Sequence, residues 1–133
     1  GDADAALEQL ALAETRAKLL GGPGVYEPLL ERVRGCAFLL RSELDQAEEA
    51  FDRSLAAARA AGSEFEVLLT LDARSSLSQA RGNERSATEE AEATSIADRL
   101  GIVSVPSMLP AATPASRGGR LNRSTPPRQS RAR

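Results

Sequence analysis

Apolar residues fall at helical spacing in five successive stretches of the chain. Leu7, Leu10, Ala13, Ala17 and Leu20 recur at steps of three and four and predict a helix over about 2–20. Gly21, Gly22, Pro23 and Gly24 end it. A second helix over about 26–41 carries Leu30, Val33, Ala37 and Leu40, with Pro28 in its first turn, where a missing amide costs little. After a turn at 42–45, a third helix over about 45–61 presents Ala47, Phe51, Leu55 and Ala58. Asp45 and Glu48 read as its N-cap and return partner, and Gly62 ends it. The fourth helix opens at Ser63-Glu64-Phe65-Glu66, a capping-box pattern, and its stripe is Phe65, Leu69, Ala73, Leu77 and Ala80. Gly82-Asn83 breaks it. Ser86 with Glu89 opens a fifth helix to about Leu100, with a thin stripe of Ala93, Ile96, Ala97 and Leu100 before Gly101. Ile102, Val103, Val105 and Pro106 are expected to fold back over the last helix end.

The pattern repeats. Tyr26-Glu27-Pro28-Leu29-Leu30 returns as Phe65-Glu66-Val67-Leu68-Leu69, 39 residues later, and Gly62 returns as Gly101 at the same offset. One helix pair cannot bury its apolar stripe alone, whereas stacked pairs can, which is the logic of an α-solenoid. The reading is an all-α helical-repeat domain over 1–106, made of a half hairpin (1–22) and two hairpins (23–62 and 63–106). An opening half hairpin implies a partner helix upstream of Gly1 and therefore a longer parent chain.

Charge divides the sequence in two. Residues 1–106 carry 11 basic and 19 acidic side chains, a net of −8, while 107–133 carry six Arg and no acid, a net of +6. The latter stretch is rich in Pro, Ser, Thr and Gly with little to bury, so it reads as a disordered basic tail. Composition removes several chemistries. The chain has no His, which excludes His-ligated metals, a Ser-His-Asp triad and an imidazole base. Its single Cys, Cys36, forms no internal disulfide and is expected to be a packed thiol in a reducing, cytoplasmic setting. Aromatics make up 3% of residues and Ala fills 24 positions, favouring helices packed through small side chains. The sequence has no apolar run of membrane-spanning length.

Gly35 followed by Phe38, and Ala47 with Phe51, match the small and aromatic positions of a tetratricopeptide repeat. Glu31, Arg34 and Arg59 stand where that motif has Trp, Leu and Pro, and Arg74, Leu77, Ser86 and Glu90 occupy the matching places of the second copy. The repeat is also longer than the usual length of about 34. A second resemblance spans 1–106. It rests on Tyr26-Glu27-Pro28-Leu29-Leu30-Glu31-Arg32-Val33-Arg34-Gly35, on the run from Ala47 to Arg59, on Phe65-Glu66-Val67-Leu68-Leu69-Thr70-Leu71 and on the run from Ala97 to Pro106. Together these segments resemble the C-terminal tetratricopeptide-like repeats of large bacterial nucleotide-cyclase-like ATPase signalling proteins. In that family a cyclase domain and an ATPase domain precede the repeats. The preference for Arg over Lys and the abundance of Ala fit a high-GC bacterial source.

The resemblance transfers no catalytic residue. Lys18, the only Lys, is followed by Leu19, so no phosphate-binding Gly-Lys-Ser/Thr loop is present, and Gly21–Gly24 follows a helix with no strand before it. Glu48-Glu49 and Glu89-Glu90 diverge as helix neighbours and read as solvated faces. Asn122-Arg123-Ser124 matches a glycosylation sequon by chance, because no secretion signal accompanies it. No catalytic, cofactor or metal site is expected. If a ligand groove exists, tetratricopeptide analogy lines it with Arg32, Cys36, Asp72, Ser75 and Gln79, against a plain reading of these as solvent-facing residues. The expected function is a non-catalytic interaction and regulatory module. It would bind a protein partner or upstream domains of its own chain, with no membrane contact. Two alternatives stay open: a fragment of a nucleotide cyclase or ATPase, and a nucleic-acid-binding regulator acting through the basic tail.

Overall fold

In the computed structural model, which describes residues 1–22, 24–105 and 108–109, five α-helices follow one another. They are α1 (Asp2–Leu19), α2 (Glu27–Leu40), α3 (Leu44–Ala60), α4 (Glu64–Ala80) and α5 (Ala87–Leu100). A short 3-10 turn at Gly24–Tyr26 leads into α2, and no strand forms among the described residues. Each helix packs on the next, and α2 also packs on α4. Short connections make neighbours antiparallel, so α2 and α4 run side by side in the same direction. The 107–133 tail read as disordered lies outside the described residues except for Met108 and Leu109, and Pro106 lies outside them too.

The helix ends follow local chemistry. Gly62 and Gly101 both adopt the left-handed conformation (φ 67° and 70°), which a glycine reaches without Cβ strain. Ser63 and Ser86 cap α4 and α5 by accepting from the backbone N–H of Glu66 (3.4 Å) and Glu89 (3.3 Å). The end of α2 is less usual. Ser42 takes the left-handed turn at φ 61°, and the Glu43 N–H then donates to the Phe38 carbonyl at 2.9 Å. That turn releases the chain into α3 one residue early, with Glu43 at the N-cap and no side-chain cap. Asp45 and Glu48 therefore do not form the expected cap. Both instead receive Arg81, at 2.8 and 3.1 Å, from the end of α4. Arg41 at the end of α2 reaches Asp4 in the first turn of α1 in the same way, at 3.0 Å.

Two apolar clusters share α3 and α4. Cys36, Ala47, Phe51, Ala73 and Leu77 form one, between α2, α3 and α4. Ala58, Val67, Leu68, Leu71 and Ile96 form the other, between α3, α4 and α5, with Ile102 and Val105 packed against it. Val103 is fully exposed, so only part of the 102–106 segment folds back. Between the clusters lies a polar tie. The buried Ser54 hydroxyl lies 2.7 Å from the Pro28 carbonyl, to which it donates, and 2.8 Å from the Thr70 hydroxyl, joining three helices at one point.

The burial stripes differ from the sequence reading at their ends. Leu20, Leu40, Phe65 and Leu100 are exposed, each at a helix end. Central helices bury more than one stripe: α4 hides Val67, Leu68, Thr70 and Leu71 as well as Ala73 and Leu77, since α2, α3 and α5 all meet it. The closest approach is at Gly35. A Cβ added there would lie 3.0 Å or less from three atoms of the Phe51 ring.

Gly35→Ala should therefore destabilise the fold by about 1–3 kcal/mol through overpacking. Phe51→Ala should cost about 3–5 kcal/mol through the lost ring. Ser42→Gly should move the other way, by up to about 1 kcal/mol, by relieving the left-handed serine. Urea denaturation of the three variants checks all three signs.

Candidate functional site

The parallel pair α2 and α4 leaves a groove of about 130 Å³, lined by Arg32 and Cys36 from α2 and by Leu69, Asp72 and Ala73 from α4. Met108 and Leu109 complete its wall. Each polar member is placed by local structure. Arg32 is 4% exposed and pairs with Glu66 across the two helices. Glu66 sits in the first turn of α4, where Ser63 caps its backbone N–H, so the N-cap of α4 holds the carboxylate that Arg32 meets. Cys36 follows Gly35 and is drawn into the Phe51 cluster. Burial pushes its thiol up to about 11, with Arg32 pulling downward and Asp72 upward. At neutral pH the thiol stays protonated and is a weak nucleophile. Burial also holds the Asp72 carboxyl above its usual range, partly offset by Arg85.

A second cleft of about 200 Å³ lies between α4 and α5. Leu68, Leu71, Ala93, Ala97 and Val105 form its apolar floor, and Asp72, Ser75, Ser78, Arg85 and Glu89 are among its polar members. Asp72 borders both depressions. A third hollow, between the end of α1 and the start of α2, is walled by Ala13, Ala17, Leu20, Val25, Tyr26 and Leu30 and is almost wholly apolar.

The five residues expected to line a groove are thus divided. Arg32, Cys36 and Asp72 meet in the α2–α4 groove, Ser75 turns toward α5 into the second cleft, and Gln79 lies exposed on α4 outside both. Leu69, Ala73, Met108 and Leu109 were not expected in the groove. Leu69 and Ala73 were signalled by their places in the α4 stripe, whereas the other two lay inside a stretch dominated by Pro, Ser and Arg.

The groove combines apolar lining with one paired cation and one carboxylate. Among the described residues no group of three or more Cys, Asp or Glu side chains is placed to hold a metal ion. No described helix is long and apolar enough to cross a membrane. No protein-family model matches this sequence, and comparison with curated proteins and with solved structures finds no match.

The raised Asp72 carboxyl gives a pH prediction. A carboxylate whose folded pKa lies above its unfolded value of 3.8 costs stability as pH rises through that window. Asp72→Asn should therefore melt higher than the parent at pH 7, and the advantage should vanish below the unfolded pKa. Melting temperatures measured across pH 3–7 on both proteins check this.

Proposed function

We propose that the chain is a non-catalytic helical-repeat module that binds an extended segment of a protein partner, or of upstream domains of its own longer chain, in the groove between α2 and α4. The observation that carries this reading is the groove itself. Two parallel helices, each backed by an antiparallel partner, leave a small groove at the partly buried Leu69, with the buried Ala73 and Cys36 at its base and Arg32 and Asp72 beside them. Side-by-side first helices of successive hairpins are the arrangement a tetratricopeptide-like solenoid uses, and this supports the repeat reading. The exposed apolar end formed by Leu19, Leu20, Val25 and Tyr26 supports a further packing neighbour there, in keeping with a place in a larger signalling protein. The resemblance to the repeats of nucleotide-cyclase-like ATPase proteins names the kind of parent. In this reading the segment makes and breaks no bond.

Selection of extended peptides from a displayed library against the purified chain tests it. Leu69→Glu places a charge on the groove strip, at a position only partly buried. Selected peptides should bind that variant at least about tenfold more weakly, as loss of a central apolar anchor does, with the melting curve nearly unchanged. Equal binding to parent and variant, or ATP or GTP turnover by the purified chain, would refute the reading.

A further inference from the structure

The repeat places α1 and α3 in equivalent positions, but only α3 is covered on both sides. Leu12, Thr15 and Leu19 of α1 precede Phe51, Ser54 and Ala58 of α3 by the repeat length of 39 residues. Phe51, Ser54 and Ala58 are each 0% exposed, with α2 and α4 both packed on α3. Leu12 is 49% and Leu19 82% exposed, and Thr15 is exposed too, since α1 packs on α2 alone among the described helices. The place that α2 takes against α3 and α4 is therefore open against α1 and α2. The apolar hollow of about 420 Å³ lies there, with Leu20, Val25 and Tyr26 exposed along it. The charges around it are unpaired in a matching pattern. Within the stack, Arg32 in the second turn of α2 meets Glu66 in the first turn of α4, and Arg99 in the last turn of α5 meets Glu64 in the first turn of α4. Glu27 is the repeat counterpart of Glu66, and Arg16 and Lys18 stand in the last turn of α1 as Arg99 does in α5. Glu27, Arg16 and Lys18 make no ion pair among the described residues.

We propose that this end of the stack is a docking face for one amphipathic helix of a partner protein, laid parallel to α2 and antiparallel to α1. Its apolar stripe covers Leu12, Leu19 and Leu20 and closes the hollow, as burial of a contiguous exposed apolar patch requires. An acid in its first turn meets Lys18 or Arg16, and an arginine in its second turn meets Glu27. Both pairs repeat ones that already join helices of this fold. The inference rests on the repeat reading of the chain and is independent of the α2–α4 groove.

Tyr26 lines the hollow and is the chain's only Tyr, with no Trp present, so its fluorescence reports occupancy. The probe is a synthetic peptide of residues 25–42, the helix that fills the equivalent place against α3 and α4, carrying Tyr26→Phe and Cys36→Ala. Added to the full chain, it should change Tyr26 emission saturably, and the mixture should gain helical dichroism over its separate parts. Leu19→Glu in the chain, at an exposed position, should weaken binding at least about tenfold, as loss of an apolar anchor does, whereas Leu69→Glu should leave it unchanged. Glu27→Arg in the chain should weaken it about threefold, the scale of an exposed ion pair, and Arg32→Glu in the peptide should recover it. Binding lost with Leu69→Glu and kept with Leu19→Glu would place the peptide in the α2–α4 groove, overturning this inference and leaving the groove reading standing. No emission change at the highest soluble peptide concentration would overturn it as well. So would a dimer of the chain, seen by sedimentation, that Leu19→Glu dissociates, since a second copy would then be the occupant.

Discussion

The contact of the Phe51 ring with the backbone of α2 at Gly35 governs the rest of this fold. The chain has three Phe and one Tyr, and Phe51 alone among them is fully buried. In a core otherwise built largely from Ala, Cys, Val and Leu, one ring supplies the volume that holds three helices at a common distance. Gly35 has no Cβ, so the ring lies directly on the α2 backbone. The adjacent Cys36 is thereby carried into the same cluster, and the next helical turn back places Arg32 over Glu66. The floor of the groove is set by this approach more than by any residue inside it.

The polar interactions do a different job. Most Arg–carboxylate pairs run between neighbouring helices at the surface, such as Arg53 with Glu31 (3.0 Å) and Arg41 with Asp4 (3.0 Å), and Arg59 of α3 reaches past α4 to Glu92 of α5 (2.8 Å). Exposed pairs of this kind add little stability and are screened by salt. Arg32–Glu66 is of another sort. Its arginine is buried, so desolvation offsets much of the attraction, and losing one partner would leave an uncompensated charge. Its consequence is positional: it fixes the register of α2 against α4. The Ser54 hydroxyl does the same by tying the first turn of α2 to the interiors of α3 and α4, where a lost partner would strand buried polar atoms.

Helix existence was legible in the sequence because glycine, proline and serine punctuate every boundary, and Ser63 and Ser86 cap where the pattern placed them. The Asp45–Glu48 cap was misread for a physical reason. A local capping rule competed with an arginine from a distant helix end, and Arg81 took both carboxylates. Stripes were legible at the helix centres and failed at Leu20, Phe65 and Leu100, since periodicity carries no information on where a neighbouring helix stops. The groove shows the same limit. Arg32, Cys36 and Asp72 come together because α2 and α4 are parallel, while Ser75, three residues past Asp72, has rotated toward α5. Met108 and Leu109 were hidden because composition averaged over 107–133 outweighs two apolar residues.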